Sequence, residues 1–242
     1  MTICKPFRIC VPDSTLEAVR ARVSAYPWHE MPDDGGWDYG SNLDYMKQLA
    51  DYWVNQFDWR KQEEQINRFA HFKASVDGID LHFIHEVGSG PSPTPLLISH
   101  GWPGSIVEFM EIIEPLAHPE RFGGRVEDAF TVIAPSLPGF GFSGRPPRPW
   151  GPRKMAHTFD TLMTKVLGYK QYIAQGGDWG GAITSWLGLE HPACKAIHIN
   201  ILTMRHPDGP QGAKSMPGQS SSSAIRLWRT VIALSRPPVR RL

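Results

Sequence analysis

The apolar positions of this chain change period along its length. Over residues 1–70 they recur at helical spacing: Leu16, Val19 and Val23 form one stripe, and Leu43, Met46, Leu49 or Ala50, and Trp53 form a second. The Ser14-x-x-Glu17 pattern predicts a capping box at the head of the first helix, and Tyr26-Pro27-Trp28 ends it. Asp33-Asp34-Gly35-Gly36 predicts a turn, and Ser41-x-x-Asp44 opens the second helix. Trp28, Trp37, Trp53 and Trp59 read as packing anchors, and the whole segment as a helical wrap around a main domain.

From Phe72 the period shortens to that of strands. Residues 73–76 and 81–85 flank Asp77-Gly78, a hairpin signal. Apolar runs at 96–99, 130–134, 172–174 and 196–201 then alternate with helical stripes at 105–117, 154–167 and 181–190. The alternation predicts an α/β fold, a doubly wound and mostly parallel sheet with helices on both faces, over residues 71–207. Past Pro207 it stops. Residues 208–223 are rich in Gly, Pro, Ser and Gln, and from Gln211 onward there are six Lys/Arg and no Asp or Glu. That composition predicts a disordered tail over 208–242.

Composition narrows the function classes. A chain of 242 residues, 41% hydrophobic and 20% charged, has the make-up of a soluble globular protein with ample core. A net charge of +1 gives no reason to expect nucleic acid or an anionic membrane as partner. Three cysteines without metal spacing suggest a reducing, cytoplasmic setting, and no apolar run is long enough for a membrane span. The ten histidines form no ligand cluster of recognised spacing, so no metal is expected, and His198, inside an apolar strand, reads as a hydrogen-bonded core residue.

The chemistry concentrates at residues 171–182. An apolar strand runs into Gly176-Gly177-Asp178-Trp179-Gly180-Gly181, and a helix follows. This is the small-x-nucleophile-x-small pattern of a strand–turn–helix elbow, with aspartate at the nucleophile position. A carboxylate there needs no base to deprotonate it and suits attack on an sp3 carbon. The competing reading is an aspartate that merely caps the helix. A second motif, His100-Gly101-Trp102-Pro103-Gly104, follows the strand at 96–99, where α/β-hydrolases carry the oxyanion loop. The backbone N–H groups of Trp102 and Trp179 are then the expected oxyanion donors. Gly139-Phe140-Gly141-Phe142-Ser143-Gly144 matches a dinucleotide fingerprint, but Arg145-Pro146-Pro147 cannot open the helix that fingerprint needs. It is expected instead to be a rigid loop at the carboxyl end of the sheet.

These motifs, together with Lys5-Pro6-Phe7, Gly36-Trp37-Asp38-Tyr39-Gly40, Tyr52-Trp53, Phe57-Asp58-Trp59-Arg60 and Pro135-Ser136-Leu137-Pro138-Gly139, resemble the epoxide hydrolases of the microsomal and fungal type. The resemblance runs from about residue 5 to 207. It implies an α/β-hydrolase fold with an N-terminal helical region, no cofactor, and a small hydrophobic epoxide as substrate, hydrolysed to a vicinal diol. Asp178 matches the family's nucleophile, and Trp102 and Trp179 its oxyanion-hole positions. The family also uses two lid tyrosines to polarise the epoxide oxygen, and a histidine oriented by a late acid to activate water. Here all six tyrosines precede the elbow, the acids after it are Glu190 and Asp208, and no histidine follows His206. The resemblance therefore implies a C-terminally truncated hydrolase whose sheet is incomplete and which is inactive alone. A haloalkane dehalogenase-like hydrolase and a non-catalytic remnant are the alternatives.

Overall fold

The computed structural model describes residues 4–30 and 36–201. The expected turn at 33–35, His206 and the tail from 208 lie outside the described residues. The chain forms two compact units, one spanning Arg8–Arg68 and the other holding the sheet.

The first unit contains α1 (Asp13–Ser24), α2 (Leu43–Asn55) and α3 (Trp59–Ile66). The expected capping box on α1 does not form, because the helix starts two residues earlier, with Pro12 in the cap position. The Pro12 carbonyl already accepts from the Thr15 and Leu16 N–H groups, so Ser14 falls inside the first turn. α2 is capped by Asn42, whose side chain accepts from the Tyr45 N–H, rather than by Ser41. α3 escaped the periodicity because eight residues with one deeply buried apolar position carry too little stripe. Its Glu63 is the polar hub of this unit. Oε1 accepts from the Val11 N–H at 2.6 Å and the Trp59 indole at 3.1 Å, while Oε2 accepts from Arg60 at 2.7 Å. Leu16 and Val19 of α1 and Leu49, Tyr52 and Trp53 of α2 line an open apolar groove. The tryptophans are accordingly less buried than packing anchors would be, with Trp37 60% and Trp53 46% exposed.

The second unit is a seven-stranded sheet in the order β1-β2-β3-β5-β4-β6-β7. Its strands are β1 (Lys5–Phe7), β2 (His71–Val76), β3 (Ile79–Glu86), β4 (Thr94–Ser99), β5 (Phe130–Pro135), β6 (Tyr172–Gly176) and β7 (Cys194–Ile199). β1 lies in the stretch expected to be helical; three residues are too few to show alternation. The first three strands run antiparallel, and β5, β4, β6 and β7 are parallel to one another. Asp77 and Gly78 turn the hairpin with φ of 51° and 83°, the left-handed pair that a two-residue turn requires.

Both faces of the sheet are covered. On one, Phe83, Leu97, Ile133 and Ala174 pack with Met155 and Phe159 of α5 (Pro152–Thr161) and Ile183 and Leu187 of α6 (Trp179–Glu190). The alternate residues Leu96, Ile98, Val132 and Ala134 are buried too, as are Ile113 and Ala117 of α4 (Ile113–Ala117). The helix expected over 105–117 is broken into a 3₁₀ turn, Ile106–Phe109, and α4. Pro115 explains the break: its ring would collide with the carbonyl of residue 111 in a continuous helix, but it fits the first turn of a new one. α5 likewise ends in a π-turn, Leu162–Val166. His198 is exposed on β7 rather than buried in the core, because the strand is the last of the described sheet.

The hairpin is tied to α5 through Asp77, whose Oδ2 accepts from Lys154 Nζ and Thr158 Oγ1, each at 2.7 Å. Burial raises the Asp77 pKa, but these two hydrogen bonds outweigh it and hold the carboxyl below its ordinary value. A depressed carboxyl stabilises the fold above its unfolded pKa, and that contribution is lost as pH falls through the folded one. Asp77→Asn, which tolerates the same left-handed backbone, should therefore cost about 1 kcal/mol at neutral pH. Urea denaturation of both proteins should show this difference shrinking as the pH is lowered below the ordinary carboxylate range.

Candidate active site

β4 lies at the centre of the parallel strands, with β5 on one side and β6 on the other, so the chain reverses its winding direction there. Loops leaving the carboxyl ends of β4 and β6 diverge to opposite faces and open a crevice between them. The register pairs Ser99 with Gly176, so the two strands end level. Residues 100–104 and the elbow at 177–178 consequently face each other.

The elbow is sharply bent. Asp178 has φ 51° and ψ −124°, in a region where side chains are rare. It makes no side-chain cap to α6, which overturns the reading of this aspartate as a simple N-cap. The turn brings backbones too close for side chains. A Cβ on Gly180 would run into the Ser99 carbonyl, and one on Gly101 would lie 2.6 Å from Asp178 Oδ1. Both positions therefore require glycine.

The Trp102 N–H donates to Asp178 Oδ1 at 2.8 Å. That hydrogen bond, and in second place the Trp179 N–H, hold the Asp178 carboxyl below the ordinary carboxylate range. Asp178 is thus ionised at neutral pH, with Oδ1 engaged by the Trp102 N–H and the residue exposed. The indoles of Trp102 and Trp179 are 62% and 45% exposed. All three residues singled out by the sequence are brought together.

Two further groups shape the site. His100 is buried, its Nε2 accepting from the Leu137 N–H at 3.1 Å. Nδ1 therefore carries the proton and donates to the Gly101 carbonyl at 2.9 Å. Burial lowers the His100 pKa against the opposing pull of the Gly101 carbonyl and Glu108, which keeps the ring neutral. The loop at 136–144 is tied by hydrogen bonds, and no helix opens directly after it, the next being α5 at Pro152. Gly139 N–H donates to the Gly144 carbonyl, Gly144 N–H to the Asp80 carbonyl at 2.7 Å, and Ser143 Oγ to the Ser136 carbonyl at 2.8 Å. The sequence showed His100 as part of a motif but not its work; the only available signal was a histidine between a buried strand and a glycine.

Several described tyrosines and histidines are engaged with other partners. Tyr172 begins β6, about 13 Å of strand away from the elbow, and its hydroxyl donates to Asp160. Tyr169 is paired with His85, His118 with Ser89 and Glu86, and His191 with Asp160. His82, whose pKa burial pushes down to about 3, bonds Ser136 and His71.

Two family profiles match: "Epoxide hydrolase N terminus" over residues 4–109 and "alpha/beta hydrolase fold" over residues 94–213. A Stigmatella aurantiaca protein is 42% identical over 198 residues, covering 81% of this chain and 45% of its own length. Epoxide hydrolase 1 of Sus scrofa is 37% identical over 203 residues, covering 81% and 44%. The chain belongs to the epoxide hydrolase family. The solved epoxide hydrolase of Aspergillus niger superposes with a TM-score of 0.75 at 31% identity, covering 94% of this chain and 59% of that one. This epoxide hydrolase-family chain spans less than half the length of the two curated relatives. Among its described residues no helix is long and apolar enough to cross a membrane, and no group of three or more His, Cys, Asp or Glu could hold a metal ion.

The close approach at Gly180 gives a direct check on the elbow. Gly180→Ala should destabilise the sheet unit by about 1–3 kcal/mol, the usual cost of overpacking, because its neighbour is backbone and cannot rotate away. Urea denaturation followed by near-UV circular dichroism would measure it, with Gly151→Ala, whose Cβ meets nothing within 4 Å, as the control.

Proposed function

We propose that this chain carries the epoxide-opening half of an epoxide hydrolase reaction, with Asp178 as nucleophile and a small hydrophobic epoxide as substrate. The observation that carries the reading is the exposed Asp178 carboxylate, set on a sharp elbow and held by the Trp102 N–H. Oδ1 accepts from the Trp102 N–H at 2.8 Å, and in this reading the other oxygen attacks a ring carbon from behind. The C–O ring bond breaks as the new C–O bond forms, and its electron pair goes to the ring oxygen, which takes a proton from water. In the resulting ester, Oδ1 is the carbonyl oxygen and already faces its donor. Hydrolysis would place an oxyanion there, where a fixed backbone donor is worth several kcal/mol in a closed site and less in an exposed one.

The second half needs a base to activate water, a contribution of about 10²–10⁴-fold. His82, His85, His100, His118 and His191 are all engaged in the contacts described above. The ester should therefore persist on this chain. Incubation with a strained aryl epoxide, followed by intact-mass and peptide mass spectrometry, should show one adduct at Asp178 and none there in Asp178→Asn. Steady-state diol release above the Asp178→Asn level would overturn the proposal, as would labelling spread over cysteines and histidines that Asp178→Asn leaves unchanged.

The pH dependence of labelling follows from the depressed Asp178 carboxyl. The nucleophile is the ionised form, so the labelling rate should stay level on going from neutral into mildly acidic solution. It should fall only below the ordinary carboxylate range, as Asp178 takes up its proton. Rates measured by mass spectrometry across that range would check it.

A further inference from the structure

Trp102 offers its N–H to Asp178 from a segment with little to hold it. Its indole is 62% exposed, and Gly101 before it has no side chain. The donor direction must therefore be set from elsewhere. A peptide unit is planar, with its C=O and N–H on opposite sides, so fixing the Gly101 oxygen fixes the Trp102 N–H. The Gly101 oxygen accepts from His100 Nδ1 at 2.9 Å and from the Gly104 N–H at 3.1 Å.

The His100 ring is the stiffer of these two anchors. It is 1% exposed, Leu137 N–H holds its far nitrogen, and the Phe140 ring meets it edge-on at a centroid distance of 5.9 Å. Leu137 is itself positioned, because the preceding Ser136 is tied to β3 twice. Its N–H donates to the His82 carbonyl at 2.9 Å, and its Oγ bonds His82 Nδ1 at 2.9 Å. A chain of hydrogen bonds thus runs from β3 through the loop after β5 to the loop after β4. The Leu137 N–H also decides the tautomer: since it can only donate, Nε2 must accept and Nδ1 must hold the proton.

We propose that His100 is a positioning residue, a neutral imidazole strut that orients the Gly101–Trp102 peptide so that its N–H points at Asp178. The inference rests on the proposed role of Asp178, and it adds a specific atom-to-atom requirement: a donor at the place of Nδ1. A structural role in filling space or satisfying Leu137 imposes no such requirement.

The test follows the Asp178 carboxyl itself in the 242-residue chain, with aspartate labelled by carbon-13 at the side-chain carboxyl and Asp178→Asn to assign the resonance. His100→Asn puts an amide nitrogen near the place of Nδ1 and loses the Leu137 contact. His100→Gln reaches Leu137 and leaves the Gly101 oxygen without its side-chain donor. The Asp178 resonance should titrate at low pH in the wild type and in His100→Asn, and move upward in His100→Gln as Trp102 loses its aim. Equal shifts in both variants, no shift in either, or the reverse order would overturn the proposal. No epoxide enters this measurement. Failure of Asp178 to be alkylated would count against the proposed function, while a wrong titration pattern would count against His100.

Discussion

Everything at the crevice depends on two backbones touching. The start of α6 lies against the end of β4 so closely that Gly180 leaves no room for a Cβ beside the Ser99 carbonyl. Only because β4 and β6 end level, Ser99 opposite Gly176, does the turn after β6 meet the loop after β4 at all. The contact is one of exclusion rather than attraction. It removes side chains from the meeting point, and what remains to interact is the backbone N–H of Trp102 and the carboxylate of Asp178.

That arrangement is locally unfavourable. A non-glycine residue at φ 51°, ψ −124° stores strain on the order of 1–3 kcal/mol, and the surroundings must over-determine it. They do so from both sides of the bend. β6 is hydrogen-bonded between β4 and β7, and α6 buries Ile183 and Leu187 in the main core. The Asp178 carbonyl accepts from the Gly181 and Ala182 N–H groups, which fixes the helix start. The strained residue thus sits between two rigid elements, and its carboxylate projects at a defined place with little freedom to relax.

Electrostatics then separates the groups by role. Asp178 is exposed and held ionised by backbone dipoles. The histidines nearest the sheet's buried interior, His82 and His100, are neutral because burial outweighs any charge stabilisation. Each is hydrogen-bonded at both ring nitrogens, His82 to Ser136 and His71 and His100 to Gly101 and Leu137. The same sheet therefore presents an ionised carboxylate at its carboxyl edge while its buried imidazoles stay neutral.

Much of this was legible in the chain. The hairpin at Asp77-Gly78, the alternation of strands and helices, and the sharp turn at Asp178 follow from local rules: the residues that allow left-handed backbone, the period of apolar positions, and the spacing of glycines. The family followed from motifs at fixed places along the chain. Other features were not local. The capping box at Ser14 gave way to the proline before it, and Pro115 broke a helix whose apolar stripe was otherwise intact. β1 and α3 were too short for any periodicity, and His198 lay exposed on the last strand of the described residues. Sequence by itself determined which residues were candidates for the site, since Asp178, its flanking glycines and the loop carrying Trp102 are each written in a contiguous motif. Tertiary structure decided that they meet, because Trp102 and Asp178 are 76 positions apart and only the pairing of β4 with β6 closes that distance. It also decided the surroundings of His100, whose two partners lie on different loops and whose proton is placed by one of them, the Leu137 N–H.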